Sequence, residues 1–249
     1  MAPQPESPSV LVIGCGALAR ELIDIVASNN LRNVRIECLP AILHNSPQKI
    51  APLVRERLER ATGYDRIFVA YADCGTGGQL DSVIDEFDVE RLDGAHCYQF
   101  FAGRREFEQI QEAEIGTLYL TDYLARHFDR FVWKGLGLDR HPELRDDYFG
   151  NYTRVLYLAQ TDDPERTEQA RHAANRLGLR FERRFVGYGE MEPALVSIAS
   201  QTSGSGYQIR SESADLRVTG ISAFHTEGGQ PPSNPPTGQA IPTSTLGSA

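Results

Sequence analysis

Four cysteines are the residues of this chain whose spacing suggests chemistry. Cys15 follows the apolar run 9–14, and Cys38 sits at the end of 34–39. Cys74 follows 66–72, and Cys97 follows 89–92. Each run reads as a strand of a parallel sheet, a type buried on both faces and therefore apolar almost throughout. Such a sheet points every carboxyl end to one edge, and ligands bind at that edge. Four thiols carried there by four successive strands can converge on one ion or cluster. Thiolates select zinc, an Fe–S cluster or copper(I). Zinc takes Cys and His tetrahedrally, and a catalytic zinc keeps one position open. The expected metal set is Cys15, Cys38, Cys74 and Cys97, with His44 and His96 as nitrogen ligands. The competing reading makes each cysteine a small buried apolar residue, the usual fate of a free thiol. No Cys-x-x-Cys spacing supports the metal reading.

The segment Asp73-Cys74-Gly75-Thr76-Gly77-Gly78 lies in a strand-to-helix turn. Its glycines allow positive φ and close backbone approach. The N–H groups of the following helix attract an anion or lower a nearby thiol pKa. Gly75, Thr76, Gly77 and Gly78 are thus an expected cofactor or anion cradle, and Cys74 the best candidate for a reactive thiolate. A plain tight turn is the alternative. Walker A is excluded, because no Lys-Ser/Thr pair follows. Gly14-Cys15-Gly16 resembles a dinucleotide turn, but Ala19 stands where the third glycine belongs. Asp139, Arg140 and His141 form a third polar group, with His141 as acid or base and Arg140 as an anion clamp. The competing reading is a solvated helix cap with His141 at the surface. Asp122 and Arg126 stand at i, i+4 and read as a surface ion pair. Glu190 reads as a charge at a helix N-terminus, and Trp133 as a packing residue.

These candidates need elements to position them. Strands are expected at 9–14, 34–39, 66–72, 89–92, 154–159 and 180–186. Helices are expected at 17–28, from 46–47 onward, at 77–87 and at 164–177. Residues 100–127 read as helical, and 131–134 as a short strand. Strands alternating with helices make an α/β fold, an open and mostly parallel sheet with helices on both faces. The similar stretches 64–69 and 128–133 hint at two related halves. The organisation is then a flexible N-terminus (1–8), an α/β domain (9–199), an appended segment or hairpin (200–225) and a disordered tail (226–249). Five of the chain's 14 prolines fall in that tail, which holds too little apolar area to offset its ordering entropy.

Composition narrows the function. Of 249 residues, 41% are hydrophobic and 24% charged, with a net charge of −9. A general nucleic-acid binder would be basic. No apolar run is long enough to span a membrane, and residues 1–8 lack the pattern of a signal peptide. The expected setting is a reducing cytoplasm with free thiols.

Six motifs give the sequence a resemblance: Ile-Gly-Cys-Gly-Ala-Leu-Ala at 13–19, Leu-Pro-Ala-Ile-Leu-His-Asn at 39–45, and Val-Ala-Tyr-Ala-Asp-Cys-Gly-Thr-Gly-Gly at 69–78. His-Cys-Tyr-Gln-Phe-Phe-Ala-Gly at 96–103, Gly-Leu-Gly-Leu-Asp-Arg-His-Pro-Glu-Leu at 135–144 and Gly-Tyr-Gly-Glu at 187–190 complete the set. In that order, from about residue 10 to 195, the chain resembles the domain-of-unknown-function family 1638. The positions that carry the likeness are Cys15, His44, Cys74, His96, Cys97, Asp139 and His141. The resemblance implies a companion of corrinoid-dependent methyltransferase systems that handle methylamines or betaines, hence a thiolate-metal role in one-carbon metabolism. Three readings remain open. One is a zinc or Fe–S protein whose Asp139, Arg140 and His141 face a small anionic substrate. Another is a metal-free enzyme with Cys74 as nucleophile and His96 or His141 as base. The last is an accessory protein that carries a ligand to a methyltransferase.

Overall fold

A computed structural model describes residues 8–200. The expected hairpin and tail beyond residue 200 lie outside the described residues.

The sheets arise where apolar, β-branched runs can be buried on both faces. β1 (Val10–Cys15) has Val10 to Ile13 completely buried. It sits between β2 (Val34–Leu39) and β3 (Arg66–Ala70), and β4 (Glu90–Arg91) closes the far side, giving the parallel order β2-β1-β3-β4. The pleat sends alternate residues of β1 to opposite layers. Val10 and Val12 pack with Leu22 and Ile25 of α1 (Ala19–Ser28). Leu11 and Ile13 pack with Val54 of α2 (Ile50–Arg60) and Leu80 of α3 (Gln79–Phe87).

Two short helices, α4 (Cys97–Ala102) and α5 (Arg104–Ala113), lead into a second parallel sheet. It is β5 (Thr117–Leu120), β6 (Arg154–Ala159) and β7 (Arg180–Phe185), in that order. One face of β6 packs on α6 (Asp122–Arg126), α7 (Leu144–Phe149) and α8 (Pro164–Leu177). The other, through Leu156 and Leu158, packs on Phe107 and Ile110 of α5. The chain then returns: Met191, Leu195 and Ile198 of α9 (Met191–Ser200) are buried among Val10, Phe68 and Leu22 of the first half. Asn33 Nδ2 donates to Ala199 O at 3.0 Å, fixing the end of that helix. Among the described residues, no helix is long and apolar enough to cross a membrane.

The α/β class and parallel strands agree with the sequence, and the two halves take the form of two separate sheets. Two local expectations fail. Residues 117–120 form strand β5 inside the stretch read as helical, because they pair residue by residue with the fully buried β6. Residues 131–134 extend no strand. Asp129–Trp133 is a π-helical turn, and Leu124, Phe128 and Phe131 continue one buried stripe at helical spacing. The similar stretches 64–69 and 128–133 are therefore not equivalent: one runs into β3, the other into that turn.

Arg154 binds the second half together at its amino edge. It is buried, with Nε donating to Thr117 Oγ1 at 2.8 Å and Nη1 to Glu182 Oε2 at 2.8 Å. Glu114 Oε2 lies 3.3 Å from Nε. Removing the guanidinium leaves Glu114 and Glu182 with Arg180, which is more exposed, as their shared cation, and leaves Thr117 Oγ1 without its donor. Arg154→Met is expected to cost about 3 kcal/mol, read as a lower urea midpoint. An unchanged midpoint would contradict the role given to this arginine.

Candidate functional site at the carboxyl edges

The first sheet brings its sulfurs to one edge by close packing at glycines. Gly14 pairs with Cys38 across β1 and β2. A Cβ on Gly14 would lie 3.7 Å from Cys38 Sγ and 2.6 Å from Leu22 Cδ1. A Cβ on Gly16 would meet Leu39 O at 2.8 Å and Ala41 N at 2.9 Å. Both glycines serve backbone approach beside Cys15, which explains their presence without a dinucleotide. Cys15 Sγ accepts from Ala17 N at 3.4 Å.

The loop after β3 is organised by its own anion. The Asp73 carboxylate accepts from Gly75 N at 3.2 Å, Gly77 N at 3.3 Å and Gly78 N at 3.0 Å. Thr76 Oγ1 donates to it at 2.5 Å. Those donors hold the Asp73 carboxyl below its ordinary pKa against the opposing effect of burial. The expected anion cradle of Gly75, Thr76, Gly77 and Gly78 is thus filled from within the chain. Cys74 takes φ 51, in the left-handed region that a non-glycine residue rarely occupies. Its N–H donates to Ala95 O at 2.8 Å, and the Cys97 backbone at the start of α4 opposes the effect of burial on its thiol.

Burial raises all four thiol pKa values. Cys38 and Cys74 are each pushed up to about 12. The Cys15 sulfur adds to the shift at Cys38, Cys74 and Cys97, and Cys74 adds to that at Cys97. The Tyr71 hydroxyl is buried against Cys15 and lacks a hydrogen bond of good geometry. The expectation of a low-pKa Cys74 thiolate is not met. Desolvation dominates, and the loop N–H groups that would have favoured the anion already hold Asp73.

His44 and His96 stand at the same edge, His44 within the field of His96. Burial lowers both pKa values, with Asp73 opposing at His96. Both are neutral imidazoles at pH 7, the form that binds metals. In the side-chain positions observed, and among the described residues, no three His, Cys, Asp or Glu groups converge closely enough to hold an ion.

Asp139, Arg140 and His141 lie elsewhere. All three are exposed, and His141 Nδ1 faces Glu143 Oε1 at 3.2 Å. Their loop follows the π-turn, whose Trp133 ring lies 4.0 Å from the Arg176 guanidinium near the end of α8. Arg145, just beyond them, approaches Gly178, which ends α8 before β7 begins. That is the amino edge of the second sheet, opposite the edge where ligands collect. Trp133 packs as expected. Glu190 accepts from Arg104 N at 3.2 Å, a carboxylate at the N-terminus of α5.

Beside the thiols, the carboxyl edges of the two sheets enclose a cleft of about 270 Å³. Gly16, Glu21 and Asp24 line it from the first half, and Asp122, Thr161 and Arg166 from the second. Asp122 does not form the expected surface pair with Arg126. Its carboxylate accepts from Tyr157 Oη at 2.6 Å, Gln160 N at 3.0 Å, and Thr161 N at 3.0 Å. Thr161 Oγ1 adds a fourth bond at 2.5 Å. Tyr188 Oη donates to Asp24 Oδ2 at 3.0 Å across the cleft.

Glu21 is the residue that sequence reasoning passed over. It is 5% exposed, and among the described residues its Oε2 has no hydrogen-bond partner. Burial first, then Asp122 and Asp24, push its carboxyl up to about 7. Its own charge reaches Cys15 and Cys38, which joins the cleft to the thiol edge. A signal was available: Glu21 stands three residues after Leu18 and four before Ile25, on the buried stripe of α1.

The comparison with known families now has a geometry to attach to. The chain belongs to the family described as "Protein of unknown function (DUF1638)". The match covers residues 38–195. DUF1638 therefore spans Cys38, His44, Cys74, His96 and Cys97 and the whole second half. Cys15 and Glu21 precede the matched stretch. No curated protein and no solved structure matches the chain.

Glu21 gives stability a pH dependence. Its folded pKa lies above its unfolded value, so between about pH 4.5 and 7 the folded state binds the extra proton. The stabilisation is complete at low pH and is lost as pH rises through 7, by about 3 kcal/mol. Urea unfolding at pH 5 and pH 8 should show this difference in the wild type and not in Glu21→Gln. Parallel losses in the two proteins would contradict the assignment.

Proposed function

We propose that this DUF1638 chain is a soft-metal protein, in which Cys15, Cys38, Cys74 and Cys97 hold a zinc ion or an Fe–S cluster at the carboxyl edge of the first sheet. The observation that carries the reading is four half-buried thiols at four successive strand ends, with Cys38, Cys74 and Cys97 in the field of Cys15. As core residues all four pack against the apolar cluster around Val10, Leu22 and Phe68. As ligands they supply the donor set that zinc and Fe–S clusters select. Burial, which holds the thiols protonated, also makes a cation there effective at drawing off their protons. The sulfurs need to rotate inward, because they do not converge as placed. His44 and His96 are neutral and stand ready as nitrogen ligands. When bound, zinc would activate a thiol or water, and a cluster would carry electrons.

The chain's own residues would supply the surroundings. Asp73 braces the loop that carries Cys74, and Gly14 and Gly16 leave room for Cys15 and Cys38. A small substrate would enter by the cleft, with Glu21 between it and the sulfurs. Free thiols suit a reducing cytoplasm, and the context that the resemblance implies is one-carbon metabolism beside a corrinoid methyltransferase.

Protein purified without oxygen should contain about one zinc per chain, or stoichiometric iron and sulfide with a broad visible absorbance. Cys74→Ser should lose that content while its circular dichroism stays native. Cys38→Ser serves as the second variant if Cys74→Ser does not fold. Wild-type protein without stoichiometric metal, or folded variants with full loading, would overturn the proposal.

A further inference from the structure

The geometry points to the cleft between the two halves as a binding site for a small zwitterion, a primary amine held at Glu21 and an acid group held at Arg126 and Arg166. The Glu21 carboxyl, 5% exposed and with a buried oxygen that finds no partner among the described residues, is costly to keep. Glu21 also lines the cleft of about 270 Å³, so a donor that the cleft admits can satisfy its carboxyl. An amine offers N–H donors to accept from and a positive charge to offset the carboxylate.

The other charges of the cleft sort by wall. On the first wall Arg20 stands 4.0 Å from Asp24 within α1, and Asp24 also receives Tyr188 Oη. Glu21 is left as the free acid of that wall. On the second wall Asp122 already accepts four hydrogen bonds, so it offers a ligand little. Burial and the neighbouring Arg126, Arg130 and Arg166 keep His127 neutral. The guanidinium groups of Arg126 and Arg166 remain as the positive side. Arg166 is 8% exposed and held by Asp163 at 3.6 Å and by Gln169, which fixes its position. Arg126 is exposed at the mouth. A ligand of one sign would meet one wall well and the other badly. A dipolar ligand meets both.

The inference does not depend on a metal, and its test is separable from that of the thiol centre. Full-length protein stripped with a chelator is titrated by calorimetry with glycine, β-alanine and γ-aminobutyrate, three spacings of amine and carboxylate. Propylamine and propionate are the single-charge controls. At least one zwitterion should bind with a Kd below about 1 mM, and neither control within about tenfold of it. Glu21→Gln and Arg126→Gln should each weaken that binding at least about tenfold. Arg126 is at the surface, so its variant reads recognition without a change of fold. No binding of any of the three overturns the inference. So does propylamine or propionate binding as tightly as the best zwitterion, or Glu21→Gln binding like the wild type.

Discussion

The rest of the structure depends on β1 being completely buried between two parallel neighbours. Val10 to Ile13 contribute no exposed surface, and their alternating side chains anchor both helical layers of the first half. The strand therefore cannot slip, since a one-residue shift would exchange its two packed faces. Its end is fixed, and with it Cys15, the 3-10 turn at Gly16–Leu18 and the buried Glu21 on α1. Helix α9 reinforces the same point by returning from the second half to pack beside Val10 and Phe68. Thiol edge and cleft thus hang on one strand and its two flanking layers.

What this arrangement costs is visible in its polar groups. Four thiols, Tyr71 and Glu21 are desolvated together, and every one has its pKa raised mainly by burial. Cys74 adds backbone strain at φ 51. Unpartnered buried polar atoms and strained non-glycine residues concentrate where proteins bind and react. In this chain Glu21, Tyr71 and Cys74 bring three such features to the carboxyl edge of the first sheet. The polar loop of Asp139, Arg140 and His141, by contrast, is solvated, unstrained and at the opposite edge. Its residue types suggest catalysis, and its position does not.

The legible part of the sequence was the part governed by period and run length. Strands such as 10–13 and 155–159 announce themselves by continuous apolar residues, and the ends of the first-half strands gave the four cysteines their common edge. Strand β5 was hidden because four residues in a helical neighbourhood carry almost no periodic signal; its pairing with β6 decides it. Asp122 and Arg126 satisfied the rule for a helical ion pair, yet tertiary donors from Tyr157, Gln160 and Thr161 claimed the carboxylate first. The glycine-rich loop looked like an anion cradle, and it is one, with Asp73 two to five residues away as the anion. Glu21 was missed for a different reason. A lone acid on an apolar stripe reads as a surface residue unless the stripe is followed across it.

The central claim is that the four sulfurs act as one centre. X-ray absorption at the metal edge of protein purified without oxygen tests it most directly. The account predicts a shell of three or four sulfur neighbours at about 2.3 Å, reduced by one in a folded Cys38→Ser variant. A shell of nitrogen and oxygen alone, or one unchanged by that substitution, would contradict it.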